Sequence, residues 1–299
     1  MGGVVEHFWV TPGLTLACAA LFGLLVGSFL NVVIHRLPLM MQAQWEAEAE
    51  QLAAQRAAQP AAAGHPSPAL APAGEPFNLV VPRSRCPHCG HRITALENIP
   101  VLSWLVQRGR CRGCGAGISA RYPVIEILTA LLCALAIGVF APTAAGLGAA
   151  VFSCVLVALA FIDLDTQLLP DSMTLPLLWL GLLFNLWAVY VPLQEAVVGA
   201  MAGYLLLWSV YWLFRLVTGK EGMGFGDFKL LAAIGAWFGW TALPAVILLA
   251  SVVGAVIGIG LMVFARHGRE TPIPFGPYLA GAGLLTLYFR EPLAALYGI

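Results

Sequence analysis

The chain has 299 residues, of which 60% are hydrophobic and only 10% charged; fifteen Lys and Arg balance fifteen Asp and Glu. Mean hydropathy is +0.85, which excludes an ordinary soluble globule. Zero net charge is uninformative by itself, because the asymmetry lies between the two faces of a membrane.

Set against the roughly 20 residues needed to cross a bilayer, the apolar runs predict eight spans. They lie near 14–34, 124–140, 144–162, 175–191, 196–214, 229–240, 245–264 and 276–289. The expected fold is an all-α polytopic membrane protein of about eight transmembrane helices, with a small zinc-stapled cytoplasmic insert between the first two spans. It divides into a first helix (1–35), the insert (36–122) and a membrane core (123–299). The segment before the first span, MGGVVEHFWV, has no Lys or Arg, whereas His35 and Arg36 follow it. A cleavable signal has the opposite charge order, so the first span reads as an anchor with its N-terminus outside, and His35 and Arg36 as headgroup anchors.

Orientation follows from the cations, which accumulate in cytoplasmic loops. Nine of the fifteen fall between Arg36 and Arg121; Arg215, Lys220 and Lys229 flank one later loop, and Arg266 and Arg269 another. Under eight spans all but Arg290 share one face, and the insert is cytoplasmic.

Within the insert, residues 42–58 can form a polar helix and 59–76 read as an Ala/Pro-rich linker, so the linker region covers about 42–76. From about 77 to 122 the composition shifts to Cys, Gly, Arg and Pro. No internal repeat is expected. Cys86-x2-Cys89 and Cys111-x2-Cys114 have the spacing of a tetrahedral zinc site. A reduced cytoplasmic compartment disfavours the rival reading of two disulfides. Four thiolates leave no open coordination position, so the metal is structural and stabilises a module too small to bury much core. Cys18, Cys133 and Cys154 lie in apolar spans and read as packing residues.

The chain has only four aspartates. Asp163, Asp165 and Asp171 fall in FIDLDTQLLPD after the third span, and Asp227 ends GMGFGD before the sixth. Ionised groups at a membrane boundary are costly and tend to be functional. The helix dipole disfavours a carboxylate at Asp163, at a helix C-terminus, and favours one at Asp227, at a helix N-terminus. Two carboxyls from such opposed environments would share one proton, as an aspartic peptidase requires. Gly222, Gly224 and Gly226 would let an extended peptide approach Asp227. Other readings are blander. Asp171 caps the fourth span, Asp165 points away from Asp163, and Asp227 could be a simple N-cap. Lys220, Glu221 and Lys229 are interfacial, with Lys229 able to tune the pair, and Glu126 is an intramembrane acid without a stated role.

The motifs GSFLNVVIHRLP (27–38), ENIPVLSWL (97–105), RYPVIE (121–126), FIDLDTQLLPD (161–171), GKEGMGFGDFKLL (219–231) and TPIPFGPYLA (271–280), with the paired CxxC, resemble the bifunctional type IV prepilin peptidases. The resemblance covers nearly the whole chain. It implies an inner-membrane aspartic endopeptidase that removes basic leaders from prepilins and pseudopilins on the cytoplasmic side. The new N-terminal residue is then methylated from S-adenosylmethionine. It implies Asp163 and Asp227 as the catalytic pair, while Cys86, Cys89, Cys111 and Cys114 are the zinc ligands that their spacing predicts. The partners implied are prepilins and the bilayer, not nucleic acid. No Gly-rich strand-to-helix turn marks a methyl-donor site. The competing classes are a secretion-machinery scaffold, which would need the cysteines alone, and a transporter, which would hold its acids near the midplane.

Overall fold

The computed structural model of the chain describes residues 12–58, 77–220, 222–264 and 274–289. The leading segment, the linker from 59 to 76, Glu221, the loop carrying Arg266 and Arg269, and Arg290 lie outside the described residues. These contain nine α-helices: α1 (Pro12–Ala58), α2 (Leu102–Val106), α3 (Arg121–Phe140), α4 (Ala144–Thr166), α5 (Asp171–Asn185), α6 (Leu193–Thr218), α7 (Phe225–Phe238), α8 (Leu243–Phe264) and α9 (Gly276–Tyr288). Two single 3-10 turns, Leu96–Asn98 and Trp240–Ala242, complete the regular structure. Every apolar run is a helix. Five helices are long and apolar enough to cross a membrane: α1, α3, α4, α6 and the stretch that contains α8. The chain is a multi-pass membrane protein.

The other three runs, α5, α7 and α9, have 15, 14 and 13 residues, or about 20 to 22 Å of helix. Sequence shows why α7 is nevertheless stable. Its Leu230–Phe238 stretch is apolar all round, as suits a helix surrounded by other helices. From Asp227 to Phe238 every residue but Lys229 is buried. Its neighbours are α6 and α5, with α9 closing another side. Against α6 the backbones nearly touch: a Cβ built on Gly199 would lie 2.3 Å from the Gly235 carbonyl oxygen. Small residues at such crossings supply the close packing on which helix association in lipid depends. Trp237 fills the centre, its indole nitrogen donating to the Leu177 carbonyl at 2.8 Å, between Phe152 and Phe184. The carboxamide of Asn185 is fully used. Its nitrogen donates to Ala236 and Trp237, and its oxygen accepts from Tyr190 and Val191.

A second cluster, Leu30, Ile34, Ile125, Val157, Ala158 and Ile162, joins α1, α3 and α4. Here α1 contributes the middle of a single helix of 47 residues that runs through Pro38 and takes in residues 42–58. Its length is about 70 Å, more than twice the hydrocarbon thickness.

Arg36 is not a headgroup anchor. It is 7% exposed, and its guanidinium donates to the Asn78 and Pro82 carbonyls at 2.9 and 2.6 Å. It therefore fastens the beginning of the cysteine module to the end of the first span. Glu126 does the same from α3. Its carboxylate accepts the Val101 amide at 2.7 Å, where the backbone turns through a positive φ of 59°, and the Ser28 hydroxyl.

Candidate active site

Asp163 lies in the last turn of α4, which ends at Gln167 in a left-handed conformation whose N–H returns to the Asp163 carbonyl at 2.9 Å. Asp227 lies in the first turn of α7, three residues after the N-cap Gly224. The two side chains, 5% and 7% exposed, line one cleft of about 1070 Å³. Both carboxyls therefore face the same space.

The two carboxyls stand at the helix ends expected of them, Asp163 at a C-terminus and Asp227 at an N-terminus, but a further contact narrows the contrast. Asp163 Oδ2 accepts the Gly276 amide at 3.0 Å, at the start of α9. It thus gains a helix N-terminus of its own, beside the one at which Asp227 sits. Asp227 Oδ1 is buried with no hydrogen-bond partner among the described residues. Helices α5, α7 and α9 all begin at the rim of this cleft. Their dipoles favour negative charge there and offset part of the cost of holding two carboxyls away from water.

The glycines around Asp227 have separate tasks. A Cβ on Gly226 would meet Leu169 Cβ at 2.7 Å and one on Gly222 would meet the Phe214 ring at 2.8 Å, so both are packing positions. Gly224 alone faces free space, with Asp227 Oδ2 nearest at 3.9 Å.

The other two aspartates are paired with cations, although Asp171 also lines the cleft. Asp165 points away from the cleft and pairs with both terminal nitrogens of Arg121 at 2.6 and 2.7 Å. Arg121 also lies over the Phe161 ring at 4.9 Å. Asp171 sits inside the first turn of α5 rather than at its cap, which is Pro170, and takes Lys229 Nζ at 2.6 Å. Lys229 therefore neutralises Asp171.

Sequence reasoning missed two contributors. Gly276 belongs to PIPFGP, a stretch noted as a motif without a role. The opposite wall of the cleft comes from α1, through Leu37, Met40, Met41, Gln44 and Trp45. Their spacing of three and four residues is the only local signal for it.

The four cysteines form a second site. All four sulfurs lie within 4.8 Å of one another, and Cys86–Cys114 and Cys89–Cys111 are each 3.9 Å apart. A tetrahedron with metal–sulfur bonds near 2.3 Å has edges of about 3.8 Å, so the set fits a tetrahedral cation. The two knuckles are a short internal repeat that the sequence reading overlooked. In each, the glycine after the second cysteine has φ near +70° (Gly90 70°, Gly115 74°) and donates to the first cysteine's carbonyl, at 2.9 and 2.8 Å. Each also closes with an isolated bridge, Arg85 to Arg92 and Arg110 to Gly117. The Cys89 amide, with that of His88, holds the Cys86 thiol down to about 6. Although the His91 amide favours its thiolate, Cys89 is pushed up to about 12 by desolvation and the surrounding thiols. Only a cation among them lets all four ionise together. His91 is not a ligand: its Nε2 meets Glu97 at 3.2 Å, and Glu97 also faces Arg112 of the second knuckle.

A family model described as "Type IV leader peptidase family" matches residues 150–259, and one described as "Bacterial Peptidase A24 N-terminal domain" matches residues 21–140. The chain is 57% identical over 286 residues to the "Prepilin leader peptidase/N-methyltransferase" of Aeromonas salmonicida, covering 96% of this chain and 94% of that one. The chain belongs to the type IV leader peptidase family. Two further relatives bear the same name. That of Stutzerimonas stutzeri is 50% identical over 293 residues (98% and 97% covered), and that of Dichelobacter nodosus 51% over 298 (99% and 98%). No solved structure matches the chain. The stretches 161–171 and 219–231, which carry Asp163 and Asp227, lie within the 150–259 match.

Proposed function

We propose that the chain is a prepilin leader peptidase and N-methyltransferase of the bacterial inner membrane, acting at its cytoplasmic face on prepilins and pseudopilins. Asp163 and Asp227 are its catalytic pair. The observation that carries this reading is the meeting of two buried carboxyls in one open cleft, one of them with an oxygen that no described protein group uses.

The chemistry follows from that asymmetry. Asp163, its Oδ2 held by the Gly276 amide, is the carboxylate that takes a proton from the attacking water. Asp227 holds the other proton and donates it to the carbonyl oxygen as water adds to the carbon. Collapse of the gem-diol breaks the C–N bond: the proton gained by Asp163 passes to the leaving amine, and Asp227 takes back a proton from one hydroxyl as the new carboxyl forms. A prepilin whose apolar segment stays in the bilayer presents its scissile bond at the level of these helix ends. A transporter would hold its acids in mid-helix, whereas Asp163 and Asp227 lie in a last and a first turn.

The amine released by cleavage is the substrate of the second reaction, in which S-adenosylmethionine supplies a methyl group. The described residues contain no strand and thus no strand-to-helix nucleotide turn, and no methyl-donor residues are assigned. Zinc, held by Cys86, Cys89, Cys111 and Cys114, fixes the two knuckles against each other and takes no part in either reaction. The division into a first helix (1–35), an insert (36–122) and a peptidase core (123–299) accompanies this reading.

Asp163→Asn and Asp227→Asn, purified in detergent, are each expected to abolish prepilin cleavage while leaving the helical circular dichroism unchanged. Full cleavage by either variant removes the assignment.

A further inference from the structure

The wall that α1 contributes to the cleft continues beyond it. Leu37, Met41, Gln44 and Trp45 recur at intervals of three and four, so they share one face of α1. Three residues past Trp45 and four past Gln44, Glu48 falls on that same face. Glu46 and Glu50, two residues to either side, fall on the opposite one. All three are exposed, and they stand in EAEAE, the densest acidic run of the chain. None has an ion pair among the described residues, unlike Asp165, Asp171 and Glu97.

The cleft under this stripe is built to receive a ligand. At its floor Asp227 is 7% exposed and its Oδ1 has no partner among the described residues. The wall itself is soft and apolar, with two methionines and the half-exposed ring of Trp45.

We propose that the extension of α1 beyond Pro38 is the arm that recognises the substrate's basic leader. Glu48 takes up a Lys or Arg of the leader, and Met41 and Trp45 border the cleft beside the scissile bond. The inference rests on the peptidase reading above, which supplies a basic peptide as the occupant. Distances agree with it. Glu48 lies seven residues beyond Met41, about 10 Å along the helix axis. An extended peptide covers that rise in about three residues, so a cation a few positions ahead of the scissile bond comes level with Glu48. Glu46 and Glu50 face away across a helix about 10 Å wide, beyond the screening length of about 8 Å at physiological ionic strength.

The test uses the full-length protein in nanodiscs and a synthetic prepilin. Glu48→Lys is expected to raise KM for the basic-leader substrate roughly five- to tenfold at physiological salt, with kcat nearly unchanged, because a charge at the rim acts on encounter and not on chemistry. The loss should shrink at high salt and reverse when the leader's Lys and Arg are replaced by Glu. The double variant Glu46→Lys, Glu50→Lys places twice the charge on the far face and should change KM less than about twofold. Unchanged KM for Glu48→Lys, or an equal loss in the far-face variant, overturns the inference. Failure of the unaltered protein to cleave at all would instead remove the peptidase reading, so the two failures are distinct.

Discussion

The Gly276 amide and the Asp163 carboxylate are locked together so closely that no side chain fits between them. The hydrogen bond is 3.0 Å, and a Cβ on Gly276 would stand 2.6 Å from the same Oδ2. Gly276→Ala should therefore displace the carboxyl without disturbing the lipid-facing surface. Misplacing a catalytic group by about 1 Å can cost up to about a hundredfold in rate. We expect kcat for leader cleavage to fall roughly ten- to hundredfold, read by prepilin processing, in protein whose thermal unfolding is little changed. Cleavage at the unaltered rate would show that this contact does not position Asp163.

Asp165 lies two residues from Asp163 and yet serves the α3–α4 seam. Its pair with Arg121 is more than a third exposed on each side, where such bridges contribute about 0.2–1 kcal/mol. Asp165→Asn should thus lower thermal stability slightly and leave kcat and KM within about twofold of the parent. A loss of cleavage comparable with that of Asp163→Asn would shift the catalytic assignment within FIDLD.

Metal removal separates the two sites. Chelation under reducing conditions should release about one zinc per chain, measured by mass spectrometry of the metal. Hydrogen exchange should then rise across residues 84–93 and 109–118, the two knuckles, while amides of α7 remain protected. Cys86→Ser should likewise impair methylation or stability more than the cleavage chemistry itself. Equal loss of both activities in folded, metal-free protein would tie the module to the aspartate pair directly.

Glu97 offers a pH test outside the membrane. The Thr94 amide and hydroxyl, with His91, hold its carboxyl down to about 2, below the unfolded value of about 4.3. A depressed carboxyl stabilises the fold above the unfolded value and loses that contribution as pH falls towards about 2. Its share is therefore complete between pH 5 and 7. Exchange protection of residues 94–98, corrected for intrinsic rates, reports that share in the metal-loaded protein. Glu97→Gln should lower it at pH 7, and an unaltered protection factor in that variant would show the turn to be held by other contacts.

How much of this was legible follows from the range of each contact. Apolar runs reveal themselves locally, and all eight are helices; CxxC spacing likewise brings four sulfurs together because each knuckle is a five-residue device. The aspartates were conspicuous by rarity, but that Asp163 also receives a helix N-terminus depends on Gly276, 113 residues away, and no local pattern carries that. Arg36 was misread for the same reason: its partners Asn78 and Pro82 lie more than 40 residues on. The continuity of α1 was hidden by Pro38, which removes one backbone donor and usually marks a helix end.

Three short membrane helices, α5, α7 and α9, share a starting level at the aspartate cleft and stop well short of a hydrocarbon layer of about 30 Å. A bilayer meeting the shallow flank that α5 and α9 present around the buried α7 must thin or dimple to match it, at a modest cost per ångström of mismatch. The lipid surface is thereby drawn towards Asp163 and Asp227, and the membrane itself becomes part of the enzyme's reach.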